Sequence, residues 1–190
     1  MKHYFHAAKT YVIERKKAFI SGGSIVIAIA LIFLGLALYS YNTSQPKVVY
    51  EPAIACTLLT PAEAKELLGD AVLNTVSTPP TQTGDIATSK CGYSDGKLDT
   101  ANAVVIAIIV RSGINDSGIA LNKAQFVSGT PTENVEMVKD LGDNAYFNKT
   151  LGQLNVLKDS TWILISYGPS ANPAANTLED AVKLAKKIVQ

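Results

Sequence analysis

The sequence predicts an α+β fold in which a mainly antiparallel sheet packs with helices as an α/β/α sandwich, preceded by a single transmembrane helix. An uncharged apolar run, 18–41, lies near the start of the chain. The remainder reads as helix, strands, helix, strands and helix, in that order. Short polar turns separate three β-branched or aromatic runs near the end, which is typical of an antiparallel meander.

The apolar run predicts the transmembrane helix because it holds 24 residues without a charge. As a helix it spans about 36 Å, and the hydrocarbon core of a bilayer is about 30 Å thick. Tyr39 and Tyr41 stand at its outer end, where tyrosine favours the headgroup layer. The alternative is a cleaved signal peptide, whose apolar region is usually only about 7–15 residues long. The length therefore favours an uncleaved anchor with membrane lipid as its partner.

The charge distribution predicts the orientation of this anchor. Residues 1–17 form a basic segment with five of the 17 basic residues and one of the 16 acidic residues. The positive-inside rule places this segment in the cytoplasm and the C-terminal part outside the cell membrane. Residues 42–190 carry 12 bases and 15 acids, a net charge of −3. Such a mildly acidic domain is not expected to bind nucleic acid.

The exported part is expected to consist of a linker, 42–55, and one extracytoplasmic domain, 56–190. A capping box opens the domain. Thr60 is the predicted N-cap of a helix, Pro61 its first residue, and Glu63 the acid that closes the box. The first element of the domain is therefore a helix with a defined start.

The middle of the domain predicts a loop, two strands and a helix. Residues 74–90 are rich in Thr, Ser, Pro and Gly, which predicts the loop. The first strand is expected to begin at 91–93. The run 103–110 contains only apolar residues, which is typical of a central strand covered on both faces. A helix is predicted for 117–127.

The end of the domain predicts the meander and a closing helix. The three strands of the meander are 145–148, 153–157 and 162–167. The closing helix is expected to cover 176–190, with Asn176 and Glu179 as a second capping box.

The two cysteines, Cys56 and Cys91, both lie in the exported part. Disulfides persist outside the cytoplasm, so the pair predicts a disulfide. In the chain-entropy model, closing a loop of this length stabilises the fold by roughly 4 kcal/mol. Two free thiols or a metal pair are the alternatives, and a zinc site is disfavoured because the domain offers no histidine.

The histidines His3 and His6 are the only ones in the chain, and both lie in the predicted cytoplasmic segment. This excludes Ser-His-Asp hydrolysis, Cys-His hydrolysis and His-ligated metal centres from the exported domain. Asp95 and Asp99 are a candidate acid pair, although turn chemistry explains both. We predict no catalytic residues, no metal and no cofactor.

Three aromatic residues of the predicted meander are candidates to line a ligand cleft: Trp162, Tyr146 and Tyr167. Ligand sites are largely apolar and aromatic, which supports this assignment. Packing in the hydrophobic core is the alternative role for the same side chains.

Four segments together resemble small cell-envelope domains of Gram-positive bacteria. They are CTLLTPAE at 56–63, LLG at 67–69, CGY at 91–93 and LGDNAYF at 141–147. The pattern is similar to an actinobacterial lipoprotein-like domain family of unknown function. The resemblance implies a PsbP-like sandwich and no established catalytic residues. Here a transmembrane helix replaces the lipid-bearing cysteine of that family, which leaves Cys56 available to pair with Cys91.

The sequence thus favours a membrane-anchored, non-catalytic binding or protein-interaction module of the bacterial cell envelope. Its partner would be an envelope protein, a wall polymer or a small ligand. One alternative is a carboxylate-dependent envelope hydrolase, which requires two acids that converge in a pocket. Another is a structural subunit of a membrane complex, whose anchor approaches a partner helix through Gly22, Gly23 and Gly35.

Overall fold

A computed structural model describes residues 30–36, 48–97 and 103–189. Residues 30–36 are helical. The rest of the predicted anchor, 18–41, and the basic segment, 1–17, lie outside the described residues. Within the part that the structure describes, no helix combines the length and the apolar character needed to span a membrane.

The domain begins at Val48 and contains a sheet and short to medium helices. The helices are α1 (Ala55–Leu58), α2 (Pro61–Leu68), α3 (Asp116–Gly129) and α4 (Leu178–Ile188), with a 3₁₀ turn at Pro173–Ala175. The strands are β1 (Leu73–Thr83), β2 (Ile86–Ser94), β3 (Val104–Gly113), β4 (Val135–Val138), β5 (Asn144–Asn148), β6 (Gln153–Lys158) and β7 (Thr161–Pro169).

All seven strands form one antiparallel sheet in the order β1-β2-β3-β7-β6-β5-β4. Two meanders, β1–β3 and β4–β7, meet where β3 pairs with β7. The connection between them is α3. The predicted α+β class with a mainly antiparallel sheet is confirmed, and β5 to β7 match the predicted meander.

The two faces of the sheet are covered differently. On one, called the closed face here, α1, α2 and α4 pack over the strands and enclose the main core. The fully buried members of this core include Leu59, Ile106, Ile108, Leu154, Ile165 and Leu184. On the other, called the second face, α3 packs with a small aromatic cluster. Helices therefore lie on both faces of the sheet.

The loop predicted at 74–90 is wrong, because this segment forms most of β1, a hairpin turn and the start of β2. Gly84 supplies the turn with φ +61°. Pro79 and Pro80 fall at a shift in the register between Thr78 and Thr81. Proline is compatible with an edge strand at such a bulge, since no ladder donor is required there.

Two further boundaries differ from prediction. Cys91 and Gly92 lie in the middle of β2 rather than at the start of a strand. The run 103–110 corresponds to β3, but it is not covered equally on both faces. Ile106, Ile108 and Val110 are buried, whereas the residues between them are half-buried. The second face of β3 is partly open because α3 covers only one end of it.

Part of the predicted linker, 42–55, belongs to the domain. The Ser89 hydroxyl donates to Ala53 O and accepts from Ala55 N, both at 2.9 Å. Ser112 Oγ accepts from Ala53 N at 3.0 Å. Ser89 and Ser112 are buried, and the hydroxyls satisfy backbone groups that have no other partner in a strand or helix. The chain is thereby fixed to the sheet before α1 begins.

The capping boxes predicted for α2 and α4 have different outcomes. The capping box of Thr60 and Glu63 is confirmed at α2. The second capping box, predicted at Asn176 and Glu179, is wrong by one residue. Thr177 is the N-cap of α4, and its side-chain oxygen accepts a hydrogen bond from Asp180 N. Asn176 instead donates to Gly152 O at 2.9 Å, a contact with the turn between β5 and β6.

Candidate functional site

The structure separates the three predicted cleft residues. Trp162 and Tyr146 lie on the second face, packed against Phe126 of α3. Tyr167 lies on the closed face, where its hydroxyl donates to Leu67 O at 3.2 Å. Side chains alternate between faces along a strand, so positions 162 and 167 of β7 cannot share a face. The three side chains therefore do not line one cleft.

Trp162 and Tyr146 form a filled aromatic cluster with Phe126, which sequence reasoning did not single out. The ring centroid of Phe126 lies 5.1 Å from that of Tyr146 and 5.6 Å from that of Trp162. All three rings are buried, and the Trp162 indole N–H donates to Asn155 Oδ1 at 3.1 Å. Burial raises the pKa of the Tyr146 hydroxyl. The cluster fixes α3 on the sheet and leaves the strands beside it uncovered.

The uncovered part of the second face is called the open face here. Its residues belong to β2, β3 and β7, and their side chains lie on the same side of the sheet as Trp162. Residues paired across neighbouring strands form rows on this side. Except for buried Gly92 and exposed Lys90, all of them are half-buried. The open face consists of Lys90, Gly92, Val105, Ala107, Ile109, Leu164 and Ser166.

A concavity of about 210 Å³ lies at one end of the open face. Val105, Ala107 and Ser166 contribute the sheet side, and Pro173 and Asn176 contribute to the rim. The Oδ1 atom of Asn176 is buried without a hydrogen-bond partner. This oxygen packs against Gly168, where an added Cβ would lie 2.0 Å from it, so Asn176 closes this end of the concavity over β7.

Arg111 stands at the opposite end of the open face. Its guanidinium carbon lies 4.7 Å from the centroid of the Trp162 ring, and one N–H donates to Gln125 of α3. Burial lowers the pKa of the guanidinium from its ordinary high value, and the group stays charged. Lys90 projects from the neighbouring strand on the same face, diagonally across the register. Within the described residues, no ion pair includes either cation.

A second concavity, of about 190 Å³, lies on the closed face near the end of α4. Ala53, Leu58, Ile163 and Ile188 line it. The ammonium group of Lys158 donates to Val189 O at 2.6 Å. The lining also includes the polar residues Asp159, Ser160 and Thr161, so the concavity presents apolar and polar surface together.

Two described carboxylates with a shifted pKa, Glu66 and Asp95, each lie beside a lysine. Glu66 pairs with Lys187, and Asp95 pairs with Lys97 at 2.8 Å, on separate elements. These lysines lower the pKa of both carboxyls, whereas a general acid requires a raised pKa. Asp99 lies outside the described residues. Among those described, no group of three or more potential metal ligands occurs.

The predicted disulfide between Cys56 and Cys91 is present, with a Cα–Cα distance of 5.0 Å. It joins α1 to β2 on the closed face, and Cys91 is buried. Neither sulfur is then available as a nucleophile or a metal ligand. The disulfide has a structural role and lies on the opposite side of the sheet from the open face.

Taken together, the geometry presents an apolar sheet surface with a concavity at one end and, at the other, two cations that pair with no acid among the residues that the structure describes. Comparison of the chain with protein-family models, with curated proteins and with solved structures finds no match to any of them.

Proposed function

We propose that the chain is a non-catalytic binding or protein-interaction module of a bacterial cell envelope, held in the cytoplasmic membrane by residues 18–41. The domain would lie outside the cytoplasm and bind its partner through the open face. The observation that carries this proposal is the incomplete covering of the second face, where α3 leaves Val105, Ala107 and Ile109 accessible in the middle of the sheet.

The composition of the open face supports binding rather than catalysis. Half-buried apolar side chains next to a few polar groups are typical of recognition surfaces. The exported part contains no histidine, and the described carboxylates with shifted pKa values are paired with lysines on separate elements. A disulfide between Cys56 and Cys91 supports a location where thiols oxidise.

Site-specific photo-crosslinking tests the binding surface. A photoreactive amino acid would replace Ile109 or Ser166 in the full-length chain in living cells. Matched control positions are Val127 on α3 and Ile54 directly before α1, which are 68% and 43% exposed. We expect discrete adducts, identified by mass spectrometry, at positions 109 and 166 only. Adducts at the controls alone, or equal yields at all four positions, would contradict the proposal.

Protease accessibility tests the topology. We expect protease added to intact spheroplasts to digest the domain while a tag fused before residue 1 stays protected. Digestion of the tag with protection of the domain would contradict the proposed orientation. Protection of both would contradict display of the domain at the cell surface.

A further inference from the structure

We infer that the open face binds an extended peptide segment that carries a carboxylate at its Arg111 end. This inference rests on the proposed function and names the chemistry of the partner. The segment would lie over Val105, Ala107 and Ile109, between α3 and the 3₁₀ turn at Pro173–Ala175.

The dimensions of the surface fit such a segment. Arg111 and Val105 are six residues apart on β3, which is about 20 Å at the rise of an antiparallel strand. An extended peptide of about six residues has the same length. Its alternate side chains would contact the apolar row of Val105, Ala107 and Ile109, because side chains of an extended segment alternate between its two sides. The surface is too short for a helix of more than about 13 residues.

Charge complementarity identifies the group at the Arg111 end. The exported part has a net charge of −3, yet Arg111 and Lys90 face the open surface without an acidic partner among the described residues. Stacking on Trp162 and the bond to Gln125 hold the guanidinium in place before a ligand arrives. A guanidinium has five donors in a planar fork that matches a carboxylate. An acidic side chain is therefore the complementary group.

The Asn176 end favours a peptide over an anionic lipid. Ser166 and Asn176 line the concavity at this end, and each peptide unit of an extended segment offers an N–H and a C=O group to such polar side chains. An acyl chain offers no donor. A peptide can thus satisfy both ends of the surface, whereas a lipid satisfies only the cationic end.

The experiment compares two fluorescent hexapeptides of alternating threonine and valine, acetylated and amidated at their ends. One ends in glutamate, and the other has glutamine at that position. Fluorescence anisotropy measures their affinity for the detergent-solubilised full-length chain. We expect the glutamate peptide to bind about tenfold more tightly, because hydrogen bonds to charged groups are stronger than neutral ones. Equal affinities, or no binding of either peptide, would overturn the inference.

Arg111→Gln should abolish the preference, so that this variant binds the glutamate and glutamine peptides with about equal affinity. Far-ultraviolet circular dichroism reports whether that variant keeps its fold, because the fluorescence of Trp162 would respond directly to the loss of the stacked guanidinium. Lys90→Gln provides a second variant at an exposed position and should reduce the preference by a smaller factor. Val127→Gln on the outer side of α3 is the matched control and should leave the preference unchanged. A preference that persists in both cation variants would overturn the inference.

Short-chain phosphatidylglycerol and acetate distinguish the other sources of an anion. Binding of the lipid that depends on Arg111, without binding of the glutamate peptide, would overturn the peptide in favour of a lipid. Displacement of the glutamate peptide by millimolar acetate would overturn the requirement for an extended segment. Photo-crosslinks at positions 109 and 166 without any peptide preference would leave the proposed function standing and remove only this inference.

Discussion

The closed face and the second face of the sheet differ in how completely helices cover them. Three helices and a disulfide enclose the closed face, and its strand residues Ile106, Ile108 and Val110 are buried. One helix crosses the second face, so the intervening residues of the same strand remain half-buried. The difference teaches that the two sides of one strand are covered unequally. One side of β3 is buried and stabilises the domain, and the proposed binding surface uses the half-buried side.

The disulfide gives the largest expected effect and tests the closed face. Replacing both Cys56 and Cys91 by alanine should lower the free energy of unfolding by about 4 kcal/mol, because the unfolded chain loses a long covalent loop. Urea unfolding of the solubilised full-length chain, followed by Trp162 fluorescence, measures this. A loss below about 1 kcal/mol would show that the helices alone hold the closed face.

Adjacent isoleucines of β3 compare the two faces directly. Ile108 is 1% exposed on the closed face, and its replacement by alanine should cost about 3 kcal/mol through lost burial and a cavity. Ile109 is half-buried on the open face, and the same replacement should cost about 1 kcal/mol. The same urea experiment applies to both variants. Equal losses would mean that the second face is covered as fully as the first, contrary to the structure.

The start of α4 provides a smaller effect on the closed face. Thr177→Ala removes the side chain that accepts from Asp180 N and should cost about 1 kcal/mol. Glu179→Ala is the matched control, since the structure assigns no capping bond to Glu179 in α4. It should cost less than about 0.5 kcal/mol in the urea experiment. A larger loss for Glu179→Ala than for Thr177→Ala would instead support the capping box of Asn176 and Glu179 that the sequence alone predicts.

An ion pair between α2 and α4 gives the smallest expected effect. Lys187 lowers the pKa of Glu66 chiefly through a hydrogen bond, and its charge adds to this. A depressed folded pKa stabilises the fold above the ordinary pKa of glutamate, and this stability is lost as pH falls through the folded value. Lys187→Gln should raise the pKa of Glu66 toward its ordinary value in an NMR titration. The effect on stability should be small because both side chains reach solvent.

Lys123→Gln on α3 is the control for that titration and should leave the pKa of Glu66 unchanged. An unchanged pKa in Lys187→Gln would contradict the contact between α2 and α4 across the closed face.

Part of the candidate site was accessible to sequence reasoning. Positions 162 and 167 are five apart in a predicted strand, and the two-residue period of a strand already places Trp162 and Tyr167 on opposite faces. The open face was not accessible in this way. The run 103–110 is apolar at every position, so its composition does not distinguish a side covered by a helix from a side left open. Arg111 gave no signal in the sequence, and Asn176 was predicted only as a helix cap, because the contacts of both side chains with the open face depend on elements that are distant in the chain.

The sequence by itself determined the features that depend on neighbouring residues. These include the capping box of α2, the strands with short polar turns between them, and the two cysteines of the disulfide. Only the tertiary structure decided that 74–83 pairs as an edge strand, that Ser89 fixes Ala53 and Ala55, and that α3 leaves the open face uncovered. The physical reason is the distance along the chain over which each effect acts. Capping and turn preferences act over a few residues, whereas burial depends on where distant elements pack.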